Sequence, residues 1–308
     1  MAEKLKPRVL VLGGTGFIGA HLIPRLLKEY RVDCVHKLLL RKSYRIKKVT
    51  YIRLNLEDFN QVKKKINKDY KFIFNLGGYI DHSSSYEVNN INLKTHFMSV
   101  VNLVSIFSKK KITRFINIGS SDEYGSSEII QNEKYREAPQ SFYALSKVCS
   151  THFLQMAYKN IKFPSVIIRI FIAYGPKQKK NRLIPYIIDT CLRNKTAYLT
   201  RGDQVRNFCY IEDVVEAIML FTKPKIKNVD GMIFNVGCNK SYKVKDIAYK
   251  IKKIISRGNL IFNKKIDKRE SKLLIPNINR IKKIYNWKPN FSIDLGLKKT
   301  IEYYQKVK

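Results

Sequence analysis

Acidic residues are scarce in this chain of 308 residues, which has 24 Asp and Glu against 60 Lys and Arg, a formal net charge of +36. A basic excess of this size raises the question of a polyanionic partner such as nucleic acid or an anionic membrane. The basic residues are spread along the whole chain, including stretches such as "QVKKKINKDYK", and form no single long block. Nucleic-acid binders usually concentrate their charge. The pattern therefore favours compositional drift, and we expect neither a nucleic-acid nor a membrane partner.

The sequence also lacks paired metal-ligand spacings and long apolar runs. Its five cysteines form no CxxC pair and its five histidines form no HExxH motif. The odd cysteine count favours a reduced cytosol, and we predict no metal site. The stretch "MAEKLKPRVLVLGG" has too short an apolar run for a signal peptide, and "SVIIRIFIAYG" is too short to span a membrane. We expect a cytoplasmic protein.

Short apolar runs alternate with helical periodicity over the first 176 residues. "RVLVLGG", "CVHKLLL", "KFIFNLGG", "RFINIGS" and "SVIIRIF" are predicted strands, and the segments between most of them show helical periodicity. This alternation predicts an α/β fold with a doubly wound parallel sheet of the Rossmann type. We predict a dinucleotide-binding domain at 1–176, to which 208–237 returns. Residues 177–207 and 238–308 are predicted to form a smaller, partly interleaved substrate-binding lobe.

The glycine-rich stretch "GGTGFIG" lies between the first predicted strand and the first predicted helix. It holds Gly13, Gly16 and Gly19, and residues 14–19 satisfy GxGxxG. In this context the pattern is typical of a dinucleotide site, because glycines let a pyrophosphate approach the backbone at a helix N-terminus. We expect Thr15, Phe17 and Ile18 to border the cofactor as well.

An acidic residue is missing where this fingerprint expects one, about 20 residues further on at the end of the second strand. That strand end is read as "LLLRKS", which places Arg41 and Lys42 there. Two cations suit a ribose 2′-phosphate, so NADP(H) is favoured, with NAD(H) as the alternative.

The stretch "SFYALSK" places Tyr143 and Lys147 one helical turn apart, on one face of a predicted helix. An ammonium beside a phenol favours the phenolate, which suits the pair to acid–base work. Together with "IGSSDEYG", "RIFIAYGP", "GDQVRNFCYIEDVVEAI" and "YNWKPNFSIDLGLKKTIEYY", these motifs make nearly the whole chain resemble an extended short-chain dehydrogenase/reductase. More narrowly, it resembles the NAD-dependent epimerase/dehydratase family of nucleotide-sugar enzymes.

This resemblance implies a catalytic triad of Ser120, Tyr143 and Lys147. It also implies cofactor contacts from Leu56, Leu76 and Gly77, and a homodimer built through a four-helix interface by the helices at about 88–110 and 142–160. Substrate contacts are expected from a set of polar and charged residues: Ser121, Asp122, Asn181, Arg206 and Arg269. Arg206, in "GDQVRNF", is expected to hold the diphosphate, because its planar fork fits a pair of phosphate oxygens.

The residues after Ser120 bear on the reaction. Many 4,6-dehydratases read Thr-Asp-Glu from this position, whereas the chain reads Ser120-Ser121-Asp122, so one acid is lost. The pattern resembles 4-keto-6-deoxy-sugar reductases of the CDP-abequose synthase type. We predict NADPH-dependent reduction of the C4 keto group of a nucleoside-diphosphate-4-keto-6-deoxy-hexose. The alternatives are a 4-epimerase or a 4,6-dehydratase and, more distantly, a non-catalytic cofactor-sensing or RNA-binding protein. Ile172 stands where the family often has a substrate-contacting Asn.

Overall fold

The computed structural model describes residues 6–38, 40, 45–78, 85–223, 228–264 and 271–307. The chain divides into two compact units. The first comprises Met1–Glu123, Pro139–Arg169 and Ile218–Phe234, and the second comprises Tyr124–Ala138, Ile170–Ala217 and Asn235–Lys308. These bounds differ from the predicted domains, since residues 124–138 lie in the second unit and the segment that returns to the first is 218–234. No helix within the described ranges has the length and apolarity needed to cross a bilayer.

A seven-stranded sheet, mostly of the first unit, has the strand order β11-β6-β5-β4-β1-β2-β3. Its strands are β1 (Arg8–Leu12), β2 (Arg31–His36), β3 (Val49–Arg53), β4 (Phe72–Asn75), β5 (Arg114–Ser120), β6 (Ser165–Ile170) and β11 (Ile233–Val236). The pairs β3-β2, β2-β1, β1-β4 and β4-β5 are all parallel. This is the doubly wound Rossmann arrangement that the strand–helix alternation predicted. The strand order reverses between β1 and β4, and ligands bind outside the carboxyl ends of the strands at such a point.

Helices connect these strands, and three of them begin at a side-chain cap. The helices are α1 (Gly19–Leu26), α2 (Phe59–Lys65), α3 (Tyr86–Asn92), α4 (Ser99–Phe107) and α5 (Phe142–Ile161), with a π-helical segment Leu93–Met98 joining α3 to α4. The side chains of Asp58, Ser85 and Ser141 accept hydrogen bonds from the first turns of α2, α3 and α5. Leu10 of β1, Leu103 of α4 and Phe115 of β5 are fully buried in one core cluster.

The second unit contains smaller sheets and most of the remaining helices. Its strands are β7 (Ile172–Tyr174), β8 (Thr196–Thr200), β9 (Val205–Arg206), β10 (Phe208–Tyr210), β12 (Tyr242–Lys243), β13 (Asn259–Lys264) and β14 (Leu273–Leu274). The helices are α6 (Leu183–Leu192), α7 (Ile211–Leu220), whose last turn belongs to the first unit, α8 (Val244–Ile255), α9 (Asn279–Tyr285) and α10 (Ile293–Lys306). Strand β7 pairs with β10, so Ile172 faces Phe208 in register and has a strand position.

Two features of the sheet differ from the sequence prediction. Strand β2 ends at His36, earlier than the predicted run "CVHKLLL". The edge strand β3 was missed, since none of its residues is fully buried and it has no continuous apolar run. Because β2 ends at His36, the residues at the carboxyl end of this strand are not Arg41 and Lys42.

Candidate active site

The glycine-rich turn after β1 lies against the residues that follow β4. Gly13 has φ +71°, and a Cβ built on it would lie 2.5 Å from the Cα of Gly77. Only a residue without a side chain fits here, because the left-handed conformation and the close approach each exclude a Cβ. Gly77 and Leu76 thus border the glycine turn at the point where the strand order reverses.

The same turn leads directly into helix α1. The amide of Gly16 donates to the carbonyl of Gly13 over 3.0 Å, and a Cβ on Gly19 would lie 2.3 Å from the carbonyl oxygen of Gly14. Thr15 and Gly16 are exposed, and Phe17 and Ile18 are half-buried. No side chain caps α1, and the amides of Ala20 and Leu22 donate to the carbonyls of Gly16 and Ile18 over 2.9 Å. This backbone cradle fits the pyrophosphate of a dinucleotide.

The end of β2 holds no carboxylate, although the residues there are not those predicted. His36 is the last strand residue, and its buried ring has Nδ1 2.7 Å from the carbonyl oxygen of Leu38. Lys37 follows and forms an ion pair with Glu57 at 2.7 Å. The predicted pair Arg41 and Lys42 lies outside the described residues. Placing the strand end at 41–42 was wrong, because β2 stops before the apolar residues 38–40.

Helix α5 presents the predicted acid–base pair on its buried face. Tyr143 and Lys147 are each 6% exposed, and the Lys147 Nζ lies 5.9 Å from the centre of the Tyr143 ring. The Lys147 ammonium donates to the carbonyl of Ile118 over 2.8 Å, which ties α5 to strand β5. Burial lowers the pKa of Lys147 to about 8, against an opposing influence from Glu123 that raises it.

Ser120 ends strand β5 close to this attachment point. Its side-chain oxygen accepts a hydrogen bond from the amide of Asp122 over 3.1 Å. Ser121 and Asp122 begin the 3-10 turn Ser121–Tyr124, with Ser121 buried and Asp122 half-buried. The three proposed catalytic residues therefore belong to one unit, on adjoining elements.

Two residues near this group were missed by sequence reasoning. The ring of His96, in the π-helical segment, meets the Tyr143 ring edge-on with centroids 5.1 Å apart. Glu123 is fully buried and forms an ion pair with Arg169 of β6 at 2.8 Å. Neither has a sequence signal, because the partners stand 46 or 47 positions away along the chain.

The predicted substrate residues are divided between the units. Asn181 is exposed just before α6, and Arg206 is 4% exposed on β9. The Arg206 guanidinium donates to the carbonyl oxygen of Val205 over 3.0 Å. Arg269 lies outside the described residues, and Leu56 packs against the core of the first unit.

One cluster of potential metal ligands occurs in the described part of the second unit. The side-chain ligand atoms of Cys209, Asp213 and Cys238 all lie within 4.8 Å of one another. Both Asp213 oxygens already accept backbone amides, from Asn290 at 2.8 Å and Phe291 at 3.1 Å. The chain positions of these cysteines had given no such indication, and the absence of a metal stays a prediction.

Comparison with known proteins assigns the family. The model of the NAD dependent epimerase/dehydratase family matches residues 9–237. The chain belongs to this family. It is therefore an NAD(P)-dependent enzyme of the nucleotide-sugar epimerase/dehydratase class.

Relatives and solved structures match this chain over nearly its full length. dTDP-D-glucose 4,6-dehydratase of Homo sapiens is 29% identical over 337 residues, covering 97% of this chain and 90% of the human one. UDP-N-acetyl-alpha-D-glucosaminuronate decarboxylase of Bacillus cytotoxicus is 27% identical, covering 98% and 99%. The structure of UDP-glucuronic acid 4-epimerase from Bacillus cereus, in complex with UDP-glucuronic acid and NAD, has a TM-score of 0.90 at 24% identity and covers 98% and 100%. These matches support the family and not the narrower resemblance to reductases of the CDP-abequose synthase type.

Proposed function

We propose that the protein is a nucleotide-sugar 4-epimerase. The observation that carries this proposal is the arrangement at the carboxyl end of β5, where Ser120 ends the strand and Lys147, anchored on the Ile118 carbonyl, holds its ammonium beside the Tyr143 ring. This group can exchange a proton with one sugar oxygen. Epimerisation at C4 needs no further acid–base pair.

Each side chain has a separate task on the C4 oxygen. Tyr143 takes the hydroxyl proton as C4 is oxidised and gives it back when C4 is reduced. Ser120 donates a hydrogen bond to the same oxygen. The Lys147 ammonium favours the phenolate of Tyr143 through its positive charge. The turn that holds Gly13, Gly16 and Gly19 would bind NAD, which would supply reversible hydride transfer at C4.

The side chains beside Ser120 count against a 4,6-dehydratase, although the human relative carries that name. Elimination of water across C5 and C6 needs a base that removes the proton from C5 and an acid that protonates the hydroxyl leaving C6. Ser121 stands where a dehydratase acid is expected, which leaves Asp122. Glu123 cannot replace the lost acid, because it is fully buried and its oxygens accept three hydrogen bonds and form an ion pair with Arg169.

The 4-keto reduction predicted from sequence is the second candidate. It is favoured by the strand end at His36, where the absence of a carboxylate removes the usual partner of the ribose 2′-hydroxyl and suits NADPH. A dissociable NADPH fits a reductase, whereas an epimerase retains its NAD through the cycle.

A mass-resolved incubation separates the three reactions. The protein is incubated with UDP-glucose, UDP-glucuronic acid and dTDP-glucose in the presence of NAD, and with a nucleotide-linked 4-keto-6-deoxy-hexose in the presence of NADPH. An isobaric product with altered chromatographic retention is expected. Loss of one water would instead identify a dehydratase, and gain of two hydrogens with NADPH a reductase.

The Tyr143→Phe variant is the matched control, since it removes one hydroxyl and keeps the ring that packs on His96. Its turnover should fall by on the order of 100-fold or more. Equal turnover of Tyr143→Phe and the parent would refute the acid–base role. No conversion of any sugar by the parent would refute the proposed reaction.

A further inference from the structure

The carboxylate of Glu123 forms hydrogen bonds to three secondary-structure elements, two of which carry the proposed catalytic residues. Oε1 of Glu123 accepts the amide of Ser120 over 2.9 Å, at the end of β5. Oε2 accepts the hydroxyl of Thr151 on α5 over 2.8 Å. The same oxygen accepts a hydrogen bond from Nε of Arg169 on β6 over 2.9 Å. It also lies 2.8 Å from Nη2 of that guanidinium, as an ion pair. The carboxylate therefore joins the strand that ends in Ser120, the helix that carries Lys147, and the next strand of the sheet.

The surroundings of Glu123 are shaped to hold a charge. Glu123, Thr151 and Arg169 each have no exposed surface. Gly119 makes room for the carboxylate, because a Cβ built on it would lie 2.5 Å from Oε1 of Glu123. A buried carboxylate is retained only when it is paired and hydrogen-bonded, and here it has three hydrogen bonds and an ion pair.

Thr151 and Lys147 are one turn apart on α5 and thus share a face of the helix. The hydrogen bond to Thr151 brings the Glu123 charge to that face. The Ile118 carbonyl of β5 accepts a hydrogen bond from the Lys147 ammonium, and the Tyr143 ring, with His96 behind it, lies beside it. Glu123, which is ion-paired to Arg169, acts on the ammonium through its charge.

We propose that Glu123 is a positioning residue of the active site: its negative charge sustains the ammonium of Lys147, and its carboxylate braces the turn that carries Ser120. This inference rests on the proposed function, because Ser120 and Lys147 have their catalytic roles there. Burial would otherwise drive Lys147 toward the neutral amine, which can neither favour the phenolate of Tyr143 nor hold its charge through the reaction.

Burial and the Glu123 charge act on the pKa of Lys147 in opposite directions. Burial lowers the pKa of Lys147 to about 8, and the Glu123 charge opposes that fall. The ammonium is therefore present below that value and is lost as the pH rises through it. Replacing Glu123 by a neutral side chain removes the opposing influence, so the ammonium should be lost at lower pH.

The test is an NMR titration of the whole protein labelled with ¹³C,¹⁵N-lysine, without sugar or added cofactor. The Lys147 signal is assigned by its disappearance in Lys147→Arg. In Glu123→Gln the titration should move to lower pH, and at pH 8 the ratio of ammonium to amine should fall by roughly tenfold or more, the scale on which loss of an opposite charge acts.

Two variants separate this electrostatic role from a structural one. Arg169→Gln breaks the same ion pair but leaves the Glu123 charge, so Lys147 should titrate at or above the parent pH. Thr151→Val removes one hydrogen bond to the carboxylate without changing charge, so Lys147 should titrate as in the parent. Arg169→Gln also keeps the proposal testable if Glu123→Gln does not fold, since a titration below the parent pH in that variant overturns it.

An unchanged Lys147 titration in Glu123→Gln would likewise overturn the proposal, whatever the variant's thermal stability. Because the titration uses no turnover, it is independent of the sugar panel. A shifted titration combined with an inactive parent would refute the proposed reaction and retain the link between Glu123 and Lys147.

Discussion

The contact between Gly13 and Gly77 allows a pair of matched substitutions with opposite expected outcomes. A Cβ on Gly13 would lie 2.5 Å from the Cα of Gly77, whereas a Cβ on Gly77 would lie 3.6 Å from the Cα of Gly13. The first distance is a severe overlap and the second is an ordinary van der Waals contact. Gly13 also has φ +71°. Gly13→Ala should therefore destabilise the protein, and Gly77→Ala should leave the fold intact.

The magnitude follows from two costs. A left-handed conformation costs an L-residue about 1–2 kcal/mol, and overpacking a tight contact costs about 1–3 kcal/mol. The free energy of unfolding of Gly13→Ala should fall by their sum, ~2–5 kcal/mol, which lowers Tm by ~4 °C or more. Thermal unfolding followed by circular dichroism measures this. Equal Tm values for Gly13→Ala and Gly77→Ala would refute the close approach of the two turns.

Gly16 separates cofactor binding from folding in the same turn. A Cβ on Gly16 would meet the carbonyl oxygen of Gly13 at 3.2 Å and lies otherwise in open space. Gly16→Ala should unfold near the parent Tm but obstruct the backbone face that the pyrophosphate approaches. We expect Kd for NAD⁺, measured by calorimetry, to rise at least ~10-fold, or ~1.4 kcal/mol. Parent-like NAD⁺ affinity in Gly16→Ala would remove the cradle as the cofactor site.

Three further predictions test the remaining assignments. Arg206→Ala should raise the KM for the nucleotide sugar by ~10- to 100-fold and leave NAD⁺ affinity unchanged, because charge-assisted bonds to the diphosphate are worth roughly 1.5–3 kcal/mol each; an unchanged KM would move the diphosphate site elsewhere. The protein should be a homodimer by light scattering. Met156→Glu, on the exposed apolar surface of α5, should yield monomers, whereas the control Ile254→Glu on α8 should remain a dimer. A monomeric parent would contradict the expected interface. His36→Asp should strengthen NADH binding relative to NADPH by about tenfold, because a carboxylate at the end of β2 accepts a hydrogen bond from the ribose 2′-hydroxyl. An unchanged ratio of the NADH and NADPH Kd values would argue against a ribose site at the end of β2.

The sequence indicated the fold class wherever a signal was local. "RFINIGS" predicted β5 and "SVIIRIF" predicted β6, because a short continuous apolar run indicates a strand that is buried on both faces. The edge strand β3 gave no such signal, since its residues are only partly covered. The end of β2 was also misplaced, because residues 38–40 continue the apolar run beyond the last paired residue, His36.

The candidate site divides in the same way. "GGTGFIG" and the spacing of Tyr143 and Lys147 are properties of consecutive residues, so the sequence by itself determined the cradle and the acid–base pair as candidates. Only the tertiary structure decided that Gly13 meets Gly77, and that Glu123 is buried against Arg169 instead of standing free as an acid. The physical reason is that close approach, burial and ion pairing depend on partners that folding brings together from distant parts of the chain, and no local pattern records them.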